Sequence, residues 1–167
     1  MALSQRPRAR DTILFGGLTV GLLDTCDAVL FFGSRGASPE RIARHVASGL
    51  LGPSSFDGGA APIVLGILLH FTVALSIAAT FYLCSLAIPA LVRRPVIGGL
   101  GFGVVAYFVM SYVVVPLSRA PHGNGNPPIP VWINGIVGHA VLVGLPPALW
   151  AARSLRRATA PAVGALA

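Results

Sequence analysis

Four side chains in this sequence are able to do chemistry where chemistry is least expected: Asp24, Asp27, His70 and His139 all sit inside long apolar runs. The stretch GLTVGLLDTCDAVLFF, Gly17 to Phe32, carries both aspartates with hydrophobic residues on either side. Three residues apart on a helix, they project from nearly the same side. Gly17, Gly21, Asp24 and Ala28 continue that side as a stripe of small residues, the kind of surface that lets another helix approach closely. A carboxylate facing lipid costs about 2.5–3.5 kcal/mol even on the lenient insertion scale, so the stripe is expected to face protein.

His70 shares its helical face with Gly66 and Ala74, and His139 shares its face with Gly135. At about 1.5 Å of rise per residue, Asp24 lies about 18 Å from one end of its span, in a hydrocarbon core of about 30 Å. His70 and His139 each lie about 12 Å from the opposite boundary, which brings them to the level of Asp24, with Asp27 slightly further out. Carboxylate and imidazole at one depth favour each other's charged forms and offset each other's desolvation.

Three readings of this constellation stay open on sequence alone. Asp–His bonds can be polar glue between helices, worth about 1 kcal/mol or less each. They can form a site for a proton, an ion or a small polar solute, since intramembrane ionisable groups often mark such paths. In that reading Asp24 is the acceptor, the histidines titrate, Asp27 relays outward, and Asn134, Ser111 and Tyr112 (with Tyr107) line the same space. Finally, His70 and His139 on two helices could ligate a b-type haem, or with a carboxylate a divalent metal. No helix carries a histidine pair and no ligand-spacing motif occurs, so no cofactor is predicted outright. No nucleophile–base arrangement, phosphate loop or HExxH appears, and no enzymatic activity is expected.

The elements that must hold these residues follow from composition. Of 167 residues, 54% are hydrophobic and 10% charged, with mean hydropathy +0.79, whereas soluble domains carry about 25% charged residues. Four runs are long enough for the roughly 20-residue helix that crosses a bilayer: 12–33, 62–88, 96–117 and 131–152. The runs are continuous rather than alternating, which disfavours a β-barrel and leaves helices to satisfy the backbone in lipid. The expected fold is therefore all-α, a four-helix transmembrane bundle spanning 12–152 as one domain, with basic tails at 1–11 and 153–167.

All twelve basic residues are arginines. They gather at the ends of the apolar runs without interleaved aromatics, so membrane topology explains them and nucleic acid is not a predicted partner. Eight (Arg6, Arg8, Arg10, Arg93, Arg94, Arg153, Arg156, Arg157) fall on one side and four (Arg35, Arg41, Arg44, Arg119) on the other. The positive-inside bias predicts both termini in the cytoplasm. The N-terminal arginines and following apolar run resemble a signal peptide, but apolar character resumes after Asp27 and LLDTC is a poor cleavage site, which favours an uncleaved first span. Cys26 and Cys84 are expected at different depths, with no disulfide between them.

In the long first connection, Ser38, Pro39 and Glu40 read as N-cap, first helical position and acidic first turn. Ile42, Val46 and Leu50 share a face opposite Arg41, Arg44 and His45, and Gly52-Pro53 stops the run. This predicts a short amphipathic helix in the first extracytoplasmic loop, lying on the bilayer or packed over the bundle. The loop SRAPHGNGNPPIP should be irregular, with His122, like His45, solvated. Pro146-Pro147 frees backbone carbonyls near Leu142 and Val143 and predicts a kink. Gly99 and Gly103 make a GxxxG pair, a spacing common in membrane helices. No internal repeat supports an inverted-repeat transporter.

The segments LLDTCDAVLFFG, SPERIARHVASGLLG, FDGGAAPIVLGILLHF, VMSYVVVPLSRAP and NGIVGHAVLVGLP resemble a group of small bacterial four-span inner-membrane proteins with no assigned activity. The resemblance runs from about Leu14 to Ala152 and includes Asp24, Gly49, Gly52, Gly58, Gly59, His70, Pro116, Asn134, His139 and Pro146. It implies a bacterial inner-membrane location and this architecture, and no chemistry. With the lipid bilayer as its first partner, the chain is expected to bind or pass a proton, ion or small polar solute, any through-path forming between copies of a homo-oligomer. The alternative is an accessory or scaffold subunit of a larger membrane complex.

Overall fold

The structure is a computed structural model that describes residues 6–121 and 127–159. His122 lies outside the described residues, as do 123–126 of its loop. Four helices are long and apolar enough to span a membrane: α1 (Asp11–Gly33), α3 (Ala61–Ala87), α5 (Pro95–Leu117) and α6 (Ile129–Arg157). Between them run α2 (Pro39–Leu51) and the single turn α4 (Ala90–Arg93). Every described regular element is helical, as expected for a multi-pass membrane protein whose backbone must be satisfied within each segment.

Local sequence sets the boundaries. Prolines occupy the first turns of α3, α5 and α6, where a missing N–H costs nothing. Ser38 Oγ accepts from Arg41 N at 3.2 Å and caps α2. Only the end of the last span departs from expectation by more than two residues. Arg153, Arg156 and Arg157 continue α6 instead of opening a separate tail. Arginine is a good helix former and favours the negative end of the helix dipole, and nothing in SLRR breaks the helix.

The prolines inside the spans act as expected of a lost donor. Pro116 cannot bond the Tyr112 carbonyl, and Pro146 and Pro147 cannot bond those of Leu142 and Val143. Upstream of each, at Met110–Val114 and His139–Gly144, the backbone relaxes into i→i+5 bonding.

In the bundle α1 lies between α3 and α6, α5 packs against α6, and α2 packs mainly on α3. Packing relies on small residues, since lipid supplies no hydrophobic drive for helices to associate. Val20, Ala74 and Val143 meet in one core cluster, and Phe81 meets Val92, Ala148, Ala151 and Ala152 in another. Gly103 and Gly144 bring the backbones of α5 and α6 together. A Cβ on Gly144 would strike the Gly99 carbonyl and the Gly103 backbone, and one on Gly103 would strike His139 O. Large side chains such as Leu22, Leu30, Leu68 and Leu117 point outward.

The start of α1 and the end of α6 meet. Arg8 N donates to Ser154 Oγ at 2.9 Å, Trp150 Nε1 donates to Thr19 Oγ1 at 3.2 Å, and the Phe15 and Trp150 rings lie 5.2 Å apart. The arginines that open α1 and close α6 thus share one end of the bundle, with α4 and its Arg93 beside them. At the other end Arg44 donates to Ser55 O at 2.9 Å and Gly59 O at 2.8 Å, and Arg119 N donates to Gly49 O at 2.9 Å. These bonds tie α2 to both neighbouring connections. Cys26 and Cys84 are both free thiols.

Gly144→Leu should lower stability by about 1–3 kcal/mol by wedging α5 from α6. Gly101→Ala, on an exposed face with no neighbour within 4 Å, should raise stability by up to about 1 kcal/mol. Reversible unfolding of both variants in detergent micelles checks the pair, and equal effects would contradict the contact.

Candidate functional site

Gly21 organises the site. Its missing side chain admits Phe71, whose ring a Cβ would meet at 2.6 Å, so α3 draws close to α1. At that distance His70 Nε2 reaches the Gly21 carbonyl at 2.9 Å. Thr25 Oγ1, one turn along α1, donates to the same carbonyl at 2.7 Å. Besides its place in the helix ladder, this one carbonyl therefore serves two side-chain donors, which share its lone pairs.

A carbonyl only accepts, so His70 Nε2 must carry a hydrogen; a bare nitrogen there would set two lone pairs against each other. In a neutral ring that leaves Nδ1 as an acceptor. Nδ1 lies 3.9 Å from Asp24 Oδ2, with 20% of the His70 side chain and 31% of the Asp24 side chain exposed. Two acceptors at this spacing repel each other unless a proton sits on one of them. A proton on either group would relieve that repulsion, and both side chains are partly exposed.

Asp27, one turn further on, is engaged differently. Asn134 Nδ2 of α6 donates to Asp27 Oδ2 at 2.8 Å, and Gly138 is the small residue facing that carboxylate. His139 Nδ1 bonds the Gly135 carbonyl on its own helix at 3.0 Å, and its ring sits edge-on to Tyr107, 5.4 Å between centroids. His139 still interacts electrostatically with Asp24 and Asp27, as His70 does with Asp24. The structure therefore brings Asp24 to His70 and Asp27 to Asn134, with His139 near both carboxylates. It does not bring in Tyr112, which is 60% exposed and stacks on Phe108. Ser111 is half-buried beside it.

The sequence reading missed Thr25 and the cavity that the pair opens into. A space of about 690 Å³ lies between α1, α2 and α3, within the range of small-molecule sites. Asp24, Thr25 and His70 form its polar floor, residues such as Val29, Ile42 and Ile67 its apolar walls, and Glu40, Arg41 and His45 its rim. The cavity depends on the closeness of α2 and α3, since Gly66 lies directly under the Ala43 carbonyl, where no side chain would fit. His45, expected as a solvated loop residue, is an exposed residue of α2 on this rim, and partial loss of hydration lowers its pKa. A threonine next to an aspartate and one turn from a glycine was the signal available for Thr25.

For a metal or haem, each histidine has one ring nitrogen left, the other being bonded to a backbone carbonyl. Among the described residues, no three His, Cys, Asp or Glu side chains are grouped to hold a metal ion.

Compared with known proteins, the chain matches no family model, no curated protein and no solved structure.

A double-mutant cycle between Asp27→Ala and Asn134→Ala should give a coupling of about 0.6–2 kcal/mol, the range for interhelical hydrogen bonds in lipid. Tyr112→Ala and Asn134→Ala should show no coupling. Unfolding free energies in one detergent supply both numbers.

Proposed function

We propose that this chain is a multi-pass protein of the bacterial inner membrane that takes up a proton or a small solute at Asp24 and His70. Both termini lie in the cytoplasm and the Ser34–Ala61 connection lies on the outer face. The arginine-rich ends that share one end of the bundle support that orientation, and the resemblance to small bacterial four-span proteins supports the membrane. On this reading α2 lies at the outer surface and forms the near wall of the site.

The observation that carries the functional reading is the contact of His70 Nε2 with Gly21 O at 2.9 Å, which requires a hydrogen on that nitrogen. Its bond to Gly21 O leaves Nδ1 facing Asp24 Oδ2 at 3.9 Å, beyond a hydrogen bond but near enough that a proton on either group is favoured by the other. A pair serving only to bond helices would need neither this mismatch nor an opening to a cavity. Asp27 and Asn134 illustrate that simpler role, with a donor meeting an acceptor at 2.8 Å. The small-residue stripes also favour a site over a scaffold. Gly17 and Gly21 are covered by Leu75 and Phe71, Gly66 by Ala43 and Gly135 by Tyr107, so these stripes are used within the bundle.

In proteoliposomes under a potassium diffusion potential, a trapped pH dye should report proton entry above that of empty liposomes. Asp24→Asn should reduce it at least about tenfold, the loss of one charged partner worth about 1.4 kcal/mol or more. Wild-type flux equal to that of empty liposomes, or flux unchanged in Asp24→Asn, would defeat the reading.

A further inference from the structure

We propose that the cavity between α1, α2 and α3 binds a lipophilic primary amine, its ammonium group seated on Asp24, Thr25 and His70 and its apolar body along the walls. The inference rests on the reading of Asp24 and His70 as a binding site and names the ligand class that the site selects.

The hydrogen-bond inventory of the floor gives the head group. Thr25 Oγ1 and His70 Nε2 both spend their hydrogens on Gly21 O. What remains to them are lone pairs, on Thr25 Oγ1 and His70 Nδ1, and the third polar residue of the floor is Asp24 with its carboxylate. Once the proton held between His70 and Asp24 is displaced, the floor therefore accepts and does not donate. Three acceptors suit a primary ammonium, which has three hydrogens to give and a charge that Asp24 balances. A carboxylate or phosphate head group would meet only lone pairs and a like charge. A metal ion would find two strong ligands at most. A quaternary ammonium would keep the charge attraction and lose every hydrogen bond.

The walls give the rest of the ligand. Apart from the floor and the rim residues Glu40, Arg41 and His45, the lining is apolar, including Val29, Ile42, Ile63 and Ile67. Arg44, the other cation of α2, is turned away to Ser55 O and Gly59 O. A small hydrophilic amine would leave these walls dry and unfilled, whereas a chain or ring system of eight or so carbons buries against them at about 25 cal/mol per Å².

The bound ammonium occupies the position of the proton that His70 and Asp24 hold, so binding releases a proton to the medium. The groups that tune this exchange are Asp27 on α1, His139 on α6, and Glu40, Arg41 and His45 on α2, with Asp24 and His70 themselves. Binding should weaken as pH falls, because protons compete with the ammonium for one position.

The test uses the full chain in lipid nanodiscs, with empty nanodiscs as the partition control, and titrates octylamine, octyltrimethylammonium and octanoate by calorimetry. Octylamine should bind at least about tenfold more tightly than the other two, as expected for charge-assisted hydrogen bonds. Its binding should release protons in weak buffer. Asp24→Asn should weaken it at least about tenfold and Thr25→Val, a near-isosteric change at an exposed position, about fivefold. The Thr25 variant keeps the test decisive if Asp24→Asn does not fold. If all three probes bind alike and the wall-filling Ile67→Trp removes them, the cavity is a site but the ligand class is wrong. If no probe binds above empty nanodiscs, or Ile67→Trp changes nothing, the binding site itself is refuted.

Discussion

Inside a bilayer no water is available to complete a hydrogen bond, so each polar group in a span must find its partner within the protein. The Gly21 carbonyl shows how far this constraint reaches. It already accepts within its own helix framework, and it also takes hydrogens from Thr25 and His70, on two different helices. That arrangement orients the imidazole, fixes which of its nitrogens carries hydrogen, and turns its other nitrogen toward Asp24. The same constraint shapes the backbone. Where Pro116, Pro146 and Pro147 withdraw a donor, the preceding turns widen to recover partners instead of leaving carbonyls bare.

Glycines set the distances on which this bonding depends. Gly21 lets Phe71 and therefore His70 come near α1, Gly66 lets α2 settle against α3, and Gly144 with Gly103 locks α5 to α6. Two of these contacts define the site and the third holds the frame around it. Because each is an approach of backbone to side chain or to backbone, a methyl group is already too large at Gly66 or Gly144. The polar floor and the helix packing are thus parts of one geometry.

Much of this was legible in the sequence, for identifiable reasons. Apolar length marked the spans, and Pro and Gly marked their ends to within two residues, except where Arg153, Arg156 and Arg157 extend α6 as helix formers. Depth along each span also brought Asp24 level with His70, and the structure puts them 3.9 Å apart. What depth does not supply is direction around the helix axis. Asp24, Asp27, His70 and His139 lie at similar levels, yet Asp27 takes Asn134 as its partner, and His139 bonds its own backbone at Gly135. Tyr112, at a plausible spacing, turns outward. The cavity was illegible for a further reason: one of its walls is α2, whose placement depends on the Gly66–Ala43 approach, a contact between segments with no shared pattern.

The two aspartates that share one face of α1 therefore have different tasks. Asp27 receives a complete, neutral donor from Asn134 and joins α1 to α6. Asp24, a single turn away, meets an imidazole whose hydrogen is committed elsewhere, and it borders a cavity rather than a helix seam. A bundle needing only cohesion would be served by two pairs of the first kind. Retaining a carboxylate whose neighbour offers a lone pair costs stability unless a proton or a cation lies between them, and that cost is the physical basis of the affinity proposed for a positive guest.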